Sequence, residues 1–134
     1  MMTSNRRQQV SSGAKWEAMI GYSRAVKVGP FISVSGTTSL DKEGQVFAKG
    51  DPYQQTLRIL QIIEAALAEL GATMENVTRT RIFVTNIQDW EAIGRAHGEY
   101  FKDIRPAATM LEVKALIDPD LLLEIEVDAI LLKD

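Results

Sequence analysis

Three carboxylates, Glu124, Glu126 and Asp128, alternate near the C-terminal end of the chain. On a strand every second residue shares a face, so successive carboxylates stand about 7 Å apart. Like charges at that spacing repel unless they are solvated or paired. One reading is a solvated face, or ion pairs with Arg79 and Arg81 of another strand. The other is a carboxyl group at a subunit seam, its pKa raised, ready to pass a proton to a substrate or to hold a water. Tyr22 and Arg24 share one strand face and can present a phenol and a guanidinium to one ligand, or be an ordinary exposed pair. Ser35 stands before Gly36 with no sign of a triad, which favours a cleft-lining hydroxyl or a turn residue over a nucleophile. His97, on an apolar helix face, reads more readily as a core or interface histidine than as a base. Arg79 and Arg81 are a weak signal for phosphate contacts.

Composition narrows the chemistry. The 134 residues include no cysteine, which excludes a disulfide framework, a thiolate zinc site and a cysteine nucleophile. A single histidine leaves no room for a multi-histidine metal site. The net charge of −3 argues against a chain built to wrap nucleic acid. Glycine-rich phosphate loops, H-E-x-x-H and G-x-S-x-G are all absent. The start is polar and no apolar run approaches the ~20 residues of a membrane span, so the expected location is the cytoplasm, with no membrane partner.

The elements that must position these groups follow from hydrophobic period and breakers. Residues 1–16 read as a flexible N-terminal segment and 17–134 as a single domain. Tyr22 to Val28 and Phe31 to Ser35 predict a hairpin across Gly29-Pro30. Residues 37–51 read as loop, with a short strand at Gln45–Ala48. Pro52 to Leu70 predicts a helix, capped by Asp51 and stopped by Gly71, with Leu57, Leu60, Ile63, Leu67 and Leu70 on one face. Val77 to Val84 predicts a strand with Val77, Arg79, Arg81 and Phe83 on one face. A second helix runs to Phe101 with Trp90, Ile93, His97 and Phe101 inward. Ala108 to Val113 and Leu122 to Leu132 complete the strands, around a turn at Asp118-Pro119-Asp120. This order predicts an α+β domain of two layers, a mixed sheet with two helices on one face. The other face carries Phe83, Leu122, Ile130 and Leu132 among charges, which predicts self-association.

Several segments together resemble the reactive intermediate deaminase (Rid, or YjgF) family. Gly21-Tyr22-Ser23-Arg24-Ala25-Val26-Lys27-Val28-Gly29 resembles its "PYSQAVxxG" opening, and Val34-Ser35-Gly36 its "xSGQ" strand end. Pro52-Tyr53-Gln54-Gln55-Thr56 and Glu69-Leu70-Gly71-Ala72 are similar to its first helix, and residues 81–90 to its central strand. Pro106 to Val113 resembles "PARSxVEV", and Leu123-Glu124-Ile125-Glu126-Val127 resembles "IEIEA". The resemblance covers residues 17–132 in collinear order.

It implies a chorismate-mutase-like fold and a homotrimer with ligand clefts between subunits. It implies hydrolysis of a small reactive enamine or imine to a carbonyl compound and ammonia, without metal or cofactor. A non-catalytic ligand-binding trimer is the alternative, and the endoribonuclease or translation-inhibitor role attached to the family stands third. By the same resemblance Glu124 is the acid/base group, and Tyr22, Ser35, Thr109 and Met110 shape the cleft. The family's carboxylate-binding arginine is Ala108 here, its helix asparagine Gly94 and its cysteine Met110. This departure disfavours a standard aminoacrylate deaminase and leaves Arg24 or Arg105 to bind an anionic group.

Overall fold

The computed structural model describes residues 6–132. Six strands and two α-helices follow one another as β1 (Gln8–Val10), β2 (Ala25–Val28), β3 (Phe31–Thr37), α1 (Pro52–Glu69), β4 (Val77–Val84), α2 (Trp90–Phe101), β5 (Ala107–Glu112) and β6 (Leu123–Ile130). The sheet order is β1-β2-β3-β6-β4-β5, antiparallel except for the parallel pair β4/β5. β3 and β4 both run antiparallel to β6 between them, so α1 and α2 are each crossovers between parallel strands, stepping in the same direction. Crossovers of one hand and one direction place both helices on one face. This is the two-layer α+β arrangement that the element order predicts.

The hairpin turns at Gly29, whose φ of 58° is costly for a residue with a Cβ. In α1 the Asp51 carboxylate accepts the Gln54 N–H at 3.0 Å, capping the first turn beside Pro52. Ile59, Leu60, Ile63 and Leu67 of α1 are buried against Ile32, Val34, Ile125 and Val127 of the sheet. Strand β6 alternates as its sequence predicts: Leu123, Ile125, Val127 and Ala129 are buried, and Glu124, Glu126 and Asp128 lie on the uncovered face.

Five expectations need correction. The sheet begins inside the expected lead-in, because Gln8–Val10 pairs with β2; residues 1–5 of that segment lie outside the described residues. The short strand expected at Gln45–Ala48 is a single bridge between Leu40 and Val46. Val77 is buried on the helix side, not beside Arg79, because the register shifts between Val77 and Arg79. Trp90 is 56% exposed and does not anchor the core; Ile93, Ala96 and Phe101 do. Tyr22 precedes β2 instead of belonging to it, with an extended backbone. No helix among the described residues is long and apolar enough to cross a membrane.

Candidate functional site

The site begins with an irregularity in β3. Val34 pairs with Val127 and Thr37 with Ile125, so three steps on β3 face two on β6. The extra residue is a β-bulge, which re-aims side chains and opens the strand end. Ser35 and Gly36 occupy it. Gly36 lies against Glu124: a Cβ on that glycine would fall 2.5 Å from Glu124 Oε2 and 2.7 Å from its Cδ. Only a residue without a side chain lets the carboxyl group rest there.

Arg24 completes this cluster. Its Nη2 donates to the Gly36 carbonyl at 2.6 Å, and its guanidinium lies 5.9 Å from the Tyr22 ring. Its Nε–H is buried without a partner among the described residues. A guanidinium carries five N–H donors, so this one keeps unspent capacity beside Glu124. Burial raises the Glu124 pKa. The Arg24 charge pulls it down and Glu126 pushes it up, and the net is a carboxyl group that holds its proton to higher pH than usual.

These groups line a groove of about 770 Å³ at the end of the sheet where β3 leaves and β6 enters. Glu124, Arg24, Tyr22 and Gly36 meet on its polar side. Trp16, Ile20, Leu116 and Ile117 form an apolar wall, and Arg58 and Asp41 line it from the helix and loop side. Two clamps hold the wall. The Glu17 carboxylate accepts from Ser11 Oγ at 2.9 Å, from Ser12 N at 3.1 Å and from Ser12 Oγ, which fixes the segment carrying Trp16 and Ile20. Burial of Glu17 pushes its pKa up, but the bonds from Ser12 and Ser11 and the Arg24 charge outweigh that and hold it below the ordinary value. The buried Gln55 carboxamide donates to Asp120 O at 3.0 Å and accepts from Leu122 N at 2.9 Å, which fixes the loop entering β6.

The predicted site residues therefore separate. Glu124, Tyr22 and Arg24 come together in the groove. Ser35 sits one residue away in the bulge, with its hydroxyl donating to Ser23 O at 2.7 Å, and lines a second cavity of about 590 Å³ on the uncovered face with Tyr22, Glu126 and Asp128. Arg105 is exposed, at φ 57°, before the first residue of β5. The level of Glu124 on the sheet is that of Phe83 and Leu111, six residues further along, or about 20 Å. Within one chain Arg24, and not Arg105, stands beside Glu124. Thr109 is exposed opposite Arg81, and Met110 packs on the covered side against the core; neither lines the groove. Gly94 and Gly98 of α2 face open space, with no atom within 4 Å of a built Cβ.

The carboxylate ladder divides in the same way. Arg81 donates to Glu126 at 3.5 Å and to Asp128 at 3.2 Å, so among the described residues these two carboxylates of the ladder are in ion pairs and Glu124 is not. His97 Nε2 lies 3.0 Å from the Thr80 hydroxyl under the sheet, far from the groove and stacked near Phe101. The wall residues Trp16 and Ile20 escape the sequence reading; the available signal is the apolar cluster Trp16, Met19 and Ile20 across the expected start of the domain.

Comparisons with known proteins bear on the family and the fold. The model of the Endoribonuclease L-PSP family matches residues 13–131. The chain is 41% identical over 128 residues to an uncharacterised protein of Streptomyces coelicolor, covering 96% of this chain and 95% of that one. It is 36% identical over 104 residues to the 3-aminoacrylate deaminase RutC of Acinetobacter baylyi, covering 78% of this chain and 82% of that one. The crystal structure of a Mycobacterium tuberculosis member of the YjgF/YER057c/UK114 family is similar at a TM-score of 0.86 and 46% identity, covering 94% of this chain and 100% of that one.

Proposed function

The chain belongs to the Endoribonuclease L-PSP family, also called RidA/YjgF, and from that premise we propose that it hydrolyses a small reactive enamine or imine. The observation that carries this reading is the Glu124 carboxyl group, pushed toward its protonated form and set in the groove between the Arg24 guanidinium and the bare Gly36 backbone. Such a carboxyl group can act in both directions. Protonated, it gives its proton to the enamine carbon or the imine nitrogen. Ionised, it takes a proton from the water that attacks the C=N carbon. The C–N bond then breaks, so imine and water become a carbonyl compound and ammonia. Arg24 binds an anionic group of the substrate, and the Tyr22 ring bounds the cleft.

The alanine at position 108, where the family has an arginine, removes a bidentate contact to a carboxylate. Standard 2-aminoacrylate chemistry is accordingly disfavoured. The exposed edge strand β5 and the uncovered apolar residues Phe31 and Leu111 support assembly as a homotrimer, with the cleft completed at a seam. In that assembly Thr109 and Arg105 would reach the groove only from a neighbouring protomer, and Met110, packed on the core, would not line it. The ribonuclease reading is the weaker one, because Arg81 is already engaged by Glu126 and Asp128 instead of being free for phosphate.

The test is direct. Imines generated in situ by an amino-acid oxidase decay to keto acid and ammonia, and the protein should accelerate that decay at least tenfold, with Glu124→Gln abolishing the gain. No acceleration across a panel of small, branched and aromatic imines would remove the hydrolase reading. Light scattering should show three chains per particle.

A further inference from the structure

Resting on the imine-hydrolase reading, we infer that the substrate is amphipathic: an enamine or imine with a large apolar substituent, branched or aromatic, that packs on Trp16 and Ile117. The groove is far larger than a three- or four-carbon imine needs, at about 770 Å³. Its two sides differ in chemistry. Glu124, Arg24 and the Gly36 backbone supply charge and hydrogen bonds at one side. Trp16, Ile20, Leu116 and Ile117 supply apolar surface at the other.

Within one protomer that apolar surface is open to water. Ile117 is 81% exposed, Ile20 68% and Trp16 43%, and all three line the same groove. Large apolar side chains held open to solvent around a polar centre mark a ligand site. The Glu17 clamp fixes the backbone segment of Trp16 and Ile20, and Gln55 ties the loop that carries Ile117 three residues further on, at Asp120. A small imine bound at Glu124 would leave this wall wet and gain nothing from it. A substrate with a phenyl or branched alkyl group would bury it, with binding that rises with the apolar area removed from water. Such contact also offsets the carboxylate contact that Ala108 cannot make.

The experiment compares kcat/KM for the imine derived from phenylalanine with that for 2-iminobutanoate, both generated in situ. The phenylalanine imine should be favoured at least tenfold. Trp16→Ala and Ile117→Ser should each lower that ratio severalfold, and about tenfold together. An equal or reversed preference in the unmodified protein, or variants that slow both imines alike, would overturn the inference while leaving the hydrolase reading intact. If neither imine is accelerated, the hydrolase reading fails, and calorimetry with the corresponding keto acids decides the inference separately. Phenylpyruvate should then bind at least tenfold more tightly than 2-oxobutanoate, with the difference lost in Trp16→Ala; equal binding overturns it. Ile117→Ser, on an exposed loop, keeps both measurements decisive where the tryptophan variant fails to fold.

Discussion

The carboxyl group of Glu124 rests on the bare backbone of Gly36, so close that a Cβ there would fall 2.5 Å from Oε2. The contact joins two strands at the one place where their register slips. It gives the glycine a role that backbone freedom does not explain, since its φ is not among the positive ones.

Gly36→Ala should therefore move the carboxyl group and spare the fold. The new methyl meets the far end of a side chain that can swing away, so the melting temperature should change by a few degrees at most. Displacing a reacting group by about 1 Å can cost on the order of 100-fold in rate. We expect imine hydrolysis to fall at least tenfold. A variant with full activity would show that the position of Glu124 on Gly36 is not used.

The raised pKa of Glu124 has a sign that can be followed by pH. Burial, the largest cause, makes the folded state hold the proton more tightly than the unfolded state. The stability this contributes is present below the ordinary glutamate range and lost as pH rises through the folded pKa. Glu124→Gln should thus gain melting temperature over the natural protein at pH 7 and lose most of that advantage near pH 4. The hydrolysis rate of the natural protein should fall as pH rises above the ordinary glutamate range. Parallel melting profiles at the two pH values would contradict the assignment.

Much of this was legible in the residues because it is local. The alternation of Leu123 to Ala129 fixes which face Glu124 takes, and Asp51-Pro52 and Gly71 bracket α1 within a residue. Tyr22 and Arg24, expected on one strand face, meet at the groove from the segment before β2 and not by strand alternation. What stayed hidden depends on distant pairing. The bulge at Ser35-Gly36 exists only against β6, some ninety residues later. The wall of Trp16, Ile20 and Ile117 is assembled by two clamps far apart in the chain. Trp90 misleads because it shares the inner-face period of α2 yet stands exposed at the first residue of the helix.

Arg24 should be the anion anchor. Its Nη2 is spent on Gly36 and its Nε is sealed from solvent, but the guanidinium lines the groove, so a substrate carboxylate meets its charge there. Hydrogen bonds to charged groups contribute about 1.5–3 kcal/mol, or on the order of 10- to 100-fold. Arg24→Gln should raise KM for a carboxylate-bearing imine by at least tenfold. Losing the guanidinium should also push the pKa of Glu124 higher, shifting the alkaline limb of the rate profile upward. Arg105→Gln, by contrast, alters a position about 20 Å away within the same chain; a comparable rise in KM from that variant would transfer the anchor to a neighbouring protomer.

His97 gives a separate test on stability alone. Burial lowers its pKa, so it sits neutral under the sheet with Nε2 at 3.0 Å from the Thr80 hydroxyl. The unfolded chain binds the proton more readily than the folded one. Stability from this residue is therefore full above the ordinary histidine value and is lost as pH falls from there toward the lower folded value. Melting temperature should drop between pH 7.5 and pH 5 in the natural protein. In His97→Gln, which keeps a hydrogen-bonding group near Thr80 and cannot titrate, the slope over that range should flatten. Because His97 is remote from the groove, the same variant should hydrolyse imines at the natural rate at pH 7.5, which separates its role from that of Glu124. An unchanged slope would mean that other groups, and not this buried imidazole, set the acid sensitivity of the fold.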